Sequence, residues 1–172
     1  LVATVDALEK HGGYEEGEVG SIAAIRKGLA NLDHHVEVLR SMGLPVVVAI
    51  NRFPDDTDAQ IQEILTHCEQ QGVPASVSTL HAEGGAGGVD LARQVRDQIE
   101  AGDGDLQRVY ELEESLPEKI RAVATKVYGA AGVEFTSQAR DDIDRIESLG
   151  LDDMPVCISK TPSSLSDDPE KV

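Results

Sequence analysis

The segment Pro45-Val46-Val47-Val48-Ala49-Ile50-Asn51-Arg52-Phe53-Pro54 decides the fold of this chain of 172 residues. Its apolar part, residues 45–50, shows no alternation, which is typical of a parallel strand covered on both faces. A second apolar run, Ala75 to Leu80, precedes His81 and a glycine-rich stretch, Gly84 to Gly88. Helical patterns follow both loops, which indicates consecutive strand-loop-helix units. The sequence therefore predicts an α/β fold whose parallel sheet carries helices on both faces.

A ligand crevice is expected where these two strands end. The loops after neighbouring parallel strands bound the usual crevice of an open α/β sheet. Phe53 and Pro54 follow the first strand, and His81 takes the matching place after the second. Gly84 and Gly85 would let the backbone approach a ligand, and the helix that starts after them favours negative charge. These residues predict a site for a planar ligand with an anionic tail; simple packing of the ring, a solvated imidazole and a flexible turn are the alternatives.

Hydrophobic periodicity predicts the remaining elements. Further strands are expected at Leu1 to Leu8, Val133 to Thr136 and Met154 to Ser159. Helices are expected at 21–42 with a break at Gly28, and from 55–57 to Gly72. The second of these has an apolar stripe formed by Ile61, Ile64, Leu65 and Cys68. Further helices are expected from Leu91 to Gly102, from Ser115 to Gly129, and at 137–149. The polar stretch from Ala101 to Gln107 separates the first block of elements from the rest.

Composition limits the classes of partner and habitat. The net charge of −17 repels nucleic acid and anionic membranes, so neither is expected as a partner. Dispersed carboxylates with few Lys indicate a protein kept soluble in high salt, with an ordinary acidic cytosolic protein as the alternative. Cys68 and Cys157 lie in apolar patterns and are expected to be two buried thiols, as suits a reducing cytoplasm. No side-chain spacing indicates a metal site or a catalytic residue.

Four ordered segments resemble the signatures of the formate–tetrahydrofolate ligase family. Residues 2–13 resemble VATVRALKxHGG, residues 45–53 resemble PVVVAINRF, residues 83–85 begin a loop similar to KGGxGG, and residues 154–169 resemble PICMAKTQYSLSDDP. The resemblance runs through essentially the whole chain but covers only part of a full-length member, which implies a fragment of its C-terminal half.

The resemblance also implies a division into domains and a relation to P-loop NTPases. Residues 1–30 would be the end of the nucleotide-binding domain, and residues 31–130 would be the middle, folate-side α/β domain. Residues 131–172 would begin the C-terminal domain as a small α+β piece.

The family makes 10-formyltetrahydrofolate from formate, tetrahydrofolate and ATP with Mg²⁺, through formyl phosphate. The resemblance thus implies an ATP-dependent ligase of one-carbon metabolism, cytoplasmic and homo-oligomeric at full length, with small-molecule substrates. Members carry a glycine-rich phosphate-binding loop with Lys and Thr, and no such segment occurs in these 172 residues. Since phosphoryl transfer depends on such parts, the isolated chain is expected to make no formyl phosphate.

The family holds the pterin ring of the folate between the Phe of its AINRF motif, here Phe53, and a Trp whose place is filled here by His81. The imidazole has a smaller face, and stacking of a ring ligand on an aromatic side chain is worth roughly 1–3 kcal/mol. Pro54, Gly84 and Gly85 would line the same pocket.

The resemblance also implies which residues would lie near the bound phosphate. His11-Gly12-Gly13 would form a turn facing it. Asp6 and Glu9 replace Arg and Lys, which reverses charge where a phosphate or a folate tail would bind, and Pro162-Ser163 replaces Gln-Tyr. Two other functions therefore stay open: a non-catalytic folate-binding or partner module that complements a separate P-loop subunit, and an α/β domain without a ligand.

Overall fold

The structure is a computed structural model and describes residues 1–13, 20–102 and 104–159. The chain divides into two compact units, one ending at Leu106 and the other beginning at Gln107. The boundary falls in the polar stretch that the sequence pattern separates from its neighbours. The division at 1–30, 31–130 and 131–172 refers to the domains of a full-length family member and stays a prediction.

The first unit contains a three-stranded parallel sheet in the order β1-β2-β3. The strands are β1 (Val2–Ala3), β2 (Val48–Asn51) and β3 (Ala75–Ser78). Because β2 and β3 are adjacent and parallel, the loops that follow them leave the sheet at the same edge. The prediction of an α/β fold with neighbouring parallel strands is confirmed, whereas the P-loop NTPase relation and helices on both faces stay predictions.

Helices connect the strands of the first unit. They are α1 (Val5–His11), α2 (Ile22–Ser41), α3 (Asp58–Gln70), α4 (Leu80–Glu83), the 3₁₀ helix Gly84–Gly88 and α5 (Val89–Ala101). The expected helix ends are confirmed at Thr57, whose side chain caps α3, and at Gly102, whose left-handed conformation ends α5.

The core lies where β2 meets α2 and α3. Val48 and Ile50 of β2 are fully buried and pack in one cluster with the apolar faces of these helices. Those faces repeat at helical spacing and supply Ile25, Leu29, Leu32 and Val36 from α2 and Ile61, Ile64 and Cys68 from α3. Burial of each such side chain contributes about 1.5–3 kcal/mol, so this cluster holds the sheet and its loops in place.

An ion pair and a hydrogen bond also join α2 to α3. Arg26 donates from Nε and Nη2 to the two carboxylate oxygens of Glu63, at 2.7 and 3.0 Å. The hydrogen bond from Arg26 lowers the pKa of Glu63. His67 Nε2 lies 2.7 Å from Asp33 Oδ1.

The first eight residues do not form the expected strand. Only Val2–Ala3 pair with β2, and Thr4 then caps α1 by accepting a hydrogen bond from the Ala7 N–H at 3.1 Å. Val5 and Leu8 are buried three residues apart, which is a helical spacing. The β-branched residues suggested a strand, but the capping threonine and the packing of α1 on α2 override that preference.

Gly28 does not break α2, which runs unbroken over 20 residues. A Cβ atom at this position would collide with the backbone carbonyl of Leu8 in α1. The glycine therefore allows close approach of two helices, and the expectation of two shorter helices is wrong.

The second unit contains α6 (Leu116–Lys126) and α7 (Ser137–Ser148), as predicted. Within its described residues, neither Val133–Thr136 nor Met154–Ser159 forms a strand, so both predictions are wrong. Thr136 instead caps α7.

Side chains replace a neighbouring strand for the last of these segments. The Tyr110 hydroxyl donates to the Val156 carbonyl at 2.9 Å and accepts from its N–H at 2.8 Å. The buried Lys119 ammonium donates to the Asp152 and Met154 carbonyls at 2.6 and 3.3 Å. The segment is therefore held by hydrogen bonds from side chains without belonging to a sheet.

Both cysteines are free thiols. Cys68 is buried in the core, and that burial raises the pKa of its thiol. Cys157 is exposed, which contradicts the expectation that both thiols are buried. The error follows from the missing strand, because the apolar run around Cys157 packs on no sheet within the described residues.

Candidate functional site

Phe53 and His81 both lie at the carboxyl edge of the sheet, after adjacent strands. Phe53 follows the end of β2 by two residues, and His81 follows the end of β3 by three. The Arg52 N–H donates to the Ser78 carbonyl at 3.0 Å, which ties the two strand ends together immediately before the loops. Both residues therefore follow strand ends at the same edge of the sheet, and a shared ring site stays a prediction.

The loop after β2 holds the Phe53 ring at the surface. The Phe53 N–H donates to Asp56 Oδ2 at 2.8 Å, and the Asp56 N–H donates back to the Phe53 carbonyl at 3.1 Å. Arg52 donates to Asp58 Oδ1 at 2.7 Å and so fixes the loop to the first turn of α3. The Phe53 side chain remains 46% exposed and is not packed away under that helix, and Pro54 beside it is exposed as well.

The loop after β3 is more ordered than a flexible turn. His81 is exposed on the four-residue helix α4, and the expected strand stops at Ser78 because this helix begins. The Thr79 hydroxyl donates to Glu83 Oε2 at 2.6 Å, and the Thr79 N–H donates to the Gly87 carbonyl at 3.1 Å. These bonds fold the loop back on the end of β3.

The glycines of this loop serve different purposes. Gly84 has φ +59° and ψ −145°, a conformation reserved for glycine. Gly87 lies against Thr79, where a Cβ atom would collide with its backbone. Gly85 has no positive φ, and nothing lies within 4 Å of the place its Cβ would take. The fold requires Gly84 and Gly87, whereas Gly85 leaves an open backbone surface beside α4.

His11-Gly12-Gly13 lies at the end of α1. His11 is the last residue of the helix, and a Cβ at Gly12 would collide with the Ala24 carbonyl of α2. Gly13 has φ +86°. Packing and turn geometry explain both glycines, and a role beside a phosphate stays a prediction.

The acidic residues at cationic positions of the signatures all have partners in the fold. Asp6 pairs with Lys10 at 3.0 Å, Glu83 accepts from Thr79, and Glu9 accepts from Gln60 Nε2 at 2.8 Å. Sequence reasoning missed the pair of Glu9 with Gln60. The only local signal for Gln60 is its spacing from Thr57, which fits a capping box. The change at Pro162-Ser163 lies outside the described residues.

The described parts of the chain hold no group of three His, Cys, Asp or Glu side chains that could bind a metal ion. Across residues 1–13, 20–102 and 104–159, none of the helices is long and apolar enough to cross a membrane.

Comparison with known proteins identifies relatives. The formate–tetrahydrofolate ligase family matches residues 1–172. A formate–tetrahydrofolate ligase of Bacillus licheniformis is 42% identical over 174 aligned residues, which cover 100% of this chain and 31% of that protein. The chain thus spans about a third of the length of this relative. Because the family match extends over every residue, this chain belongs to the formate–tetrahydrofolate ligase family.

Proposed function

We propose that this chain is the folate-side part of an ATP-dependent formate–tetrahydrofolate ligase that makes 10-formyltetrahydrofolate through formyl phosphate. Membership of the family supports the reaction, and the 42% identity to a protein of that name supports it further. Full-length protein of this kind would be a cytoplasmic homo-oligomer, and its surface of dispersed carboxylates suits high salt.

The position of Phe53 and His81 carries this proposal. Both side chains are exposed at one edge of the sheet, and the strand ends that precede them are hydrogen-bonded. An exposed phenyl ring at such an edge stabilises little in the fold but offers a face for a pterin. Because Gly85 has no side chain and has open space beside it, a ligand could approach the protein backbone there.

The residues of this chain would bind and orient the folate. Phe53 and His81 would hold the ring from its two faces, with Pro54, Gly84 and Gly85 around it, and the protein contributes by placing the ring for attack. ATP, with its Mg²⁺, supplies the phosphoryl group that activates formate. No described residue is assigned to that step, and the phosphate-binding loop typical of such chemistry does not occur among these 172 residues.

Titration of tetrahydrofolate against the chain, followed by ligand fluorescence in high salt, tests the ring site. Phe53→Ala is expected to weaken binding by about 5- to 150-fold, the equivalent of one lost stacking contact. Phe135→Ala, the same change at the other of the two Phe residues, is the matched control and should keep the affinity. Equal binding by the wild type and Phe53→Ala would contradict the ring site.

The alternative is a folate-binding or partner module that complements a separate P-loop subunit. Both functions share the folate site and differ in whether one polypeptide carries the phosphate-binding loop. We expect no 10-formyltetrahydrofolate from the chain alone with ATP, Mg²⁺ and formate, since no such loop occurs in this sequence. Turnover by the isolated chain would overturn this expectation. A neighbouring reading frame that encodes the loop would favour the module.

A further inference from the structure

A buried polar pair joins α1 to the start of α3. Glu9 and Gln60 are 5% and 7% exposed, and the Gln60 Nε2 donates to Glu9 Oε1 at 2.8 Å. The Gly20 backbone lies over both ends, since a Cβ atom there would collide with the Glu9 carboxylate and the Gln60 amide. Three segments distant in sequence therefore meet on one side-chain hydrogen bond.

The other end of the Gln60 amide fixes the loop of Phe53. Gln60 Oε1 accepts hydrogen bonds from the Thr57 N–H and the Thr57 hydroxyl, both at 2.8 Å. Thr57 is the residue at which the loop from Phe53 enters α3, and its hydroxyl accepts in turn from the Gln60 N–H at 3.3 Å. Glu9 thus sets the orientation of this amide by accepting from its nitrogen, and the amide oxygen in turn holds the end of the loop at Thr57.

Replacement of Glu9 affects more than one bond. Without the Glu9 carboxylate, the buried Gln60 amide N–H has neither water nor an acceptor, which costs free energy. Rotation of the Gln60 side chain toward water then becomes favourable. That rotation would release Thr57 from the capping box. The carboxylate of Glu9 also lies near the N-terminal turn of α3, where negative charge is favourable.

We propose that Glu9 is a positioning residue for the ring site: through Gln60 and Thr57 it fixes the loop that presents Phe53 to a pterin. The proposal rests on the proposed function for its ligand. It concerns the buried contact alone, so Asp6, which is exposed and paired with Lys10, has no such role.

A single tryptophan can report on the loop of Phe53. The chain contains no Trp, so Phe53→Trp places a single indole in the loop. In this background, Glu9→Leu is expected to lower the fluorescence anisotropy of the indole and to raise its quenching by acrylamide. Tetrahydrofolate affinity should fall about tenfold, as expected for a lost buried hydrogen bond at the site.

An exchange of the two side chains provides the rescue. Glu9→Gln with Gln60→Glu reverses the direction of the hydrogen bond and retains it: the new amide at position 9 donates, and the new carboxylate at position 60 accepts from it and can still accept from Thr57. This double variant should restore the anisotropy, the quenching and the affinity to within about twofold of the background. Val36→Ala, which thins the core on α2, is the control for general loss of stability.

The outcomes separate the two proposals. Unchanged anisotropy and quenching in Glu9→Leu, or the same changes in Val36→Ala, would overturn the positioning role. Failure of the exchange to restore the indole signal would also count against it. Absence of tetrahydrofolate binding in the wild type would reject the proposed function, while the indole signals would still decide whether Glu9 holds the loop.

Discussion

His81 is the residue at which this chain departs most from the family signature at the ring site. It occupies an exposed position on α4. We expect His81→Trp to raise tetrahydrofolate affinity, by at most the roughly 1–3 kcal/mol of a stacked base. The same fluorescence titration measures this change. His81→Ala is the matched truncation and should weaken binding; a weaker Trp variant would show that the site is adapted to the smaller ring.

Gly28 tests the close approach of α1 and α2. Gly28→Ala would push a methyl group into the Leu8 carbonyl, and overpacking of this kind costs about 1–3 kcal/mol. Denaturant unfolding should show this loss of stability. Gly85→Ala in the same unit meets open space and should leave stability unchanged. Equal stability of the two variants would mean that the helices can separate at little cost.

At the scale of elements, α6 shows how a capping box responds to pH. The Ser115 hydroxyl and then its N–H donate to the Glu118 carboxylate, at 2.8 and 3.0 Å, and these bonds hold the pKa of Glu118 below its ordinary value of 4.5. A lowered pKa in the folded state means that the contribution to stability is present above the ordinary value and is lost as pH falls through the lowered one.

Glu118→Gln isolates this contribution because it removes the charge and keeps the shape. We expect the wild type to have the higher unfolding midpoint at neutral pH and the difference to vanish in acid, below 4.5. Thermal unfolding of both proteins across this range measures it. A difference that grows on acidification would show that the sign is wrong.

Tyr110 tests whether a side chain replaces a strand for the segment around Val156. Tyr110→Phe removes both hydrogen bonds to the Val156 backbone and leaves its N–H and carbonyl without these partners. A loss of about 1–3 kcal/mol is expected in the stability of the second unit. Tyr128→Phe makes the same change elsewhere in that unit and should cost less. Equal effects would show that the hydroxyl at Tyr110 is not special.

At the scale of the whole molecule, the net charge of −17 opposes folding through self-repulsion. The chain carries 32 acidic and 15 basic side chains. Among the described residues, pairs such as Lys10 with Asp6 and Arg93 with Asp90 lie at the surface, where they contribute little. Added KCl screens the net charge of −17, so the denaturation midpoint should rise steadily with salt. Scanning calorimetry over a KCl series, without any chaotropic salt, measures this midpoint. A midpoint that falls with KCl would refute the high-salt interpretation.

Local signals located most helices, the two central strands and the sheet edge at which the ring site is proposed. The unbroken run before Asn51 predicted a covered strand, and the stripe on α3 and the caps at Thr57, Gly102 and Ser115 predicted helices. Each of these rests on periodicity or on a cap, which neighbouring residues alone decide. The same reasoning placed two ring side chains after adjacent strands, because consecutive parallel units leave little choice of edge.

Long-range contacts decided the rest. The strand expected at Leu1 to Leu8 is shortened to two residues and followed by a helix because α1 packs on α2. Gly28 is required by a backbone carbonyl that is distant in sequence. The bond between Glu9 and Gln60 joins residues 51 positions apart. Neighbours along the chain carry no information about such partners. Sequence alone therefore determined which segments are strands or helices where local preference is strong, and only the tertiary structure decided which buried groups meet, because burial and hydrogen bonding are properties of the folded chain.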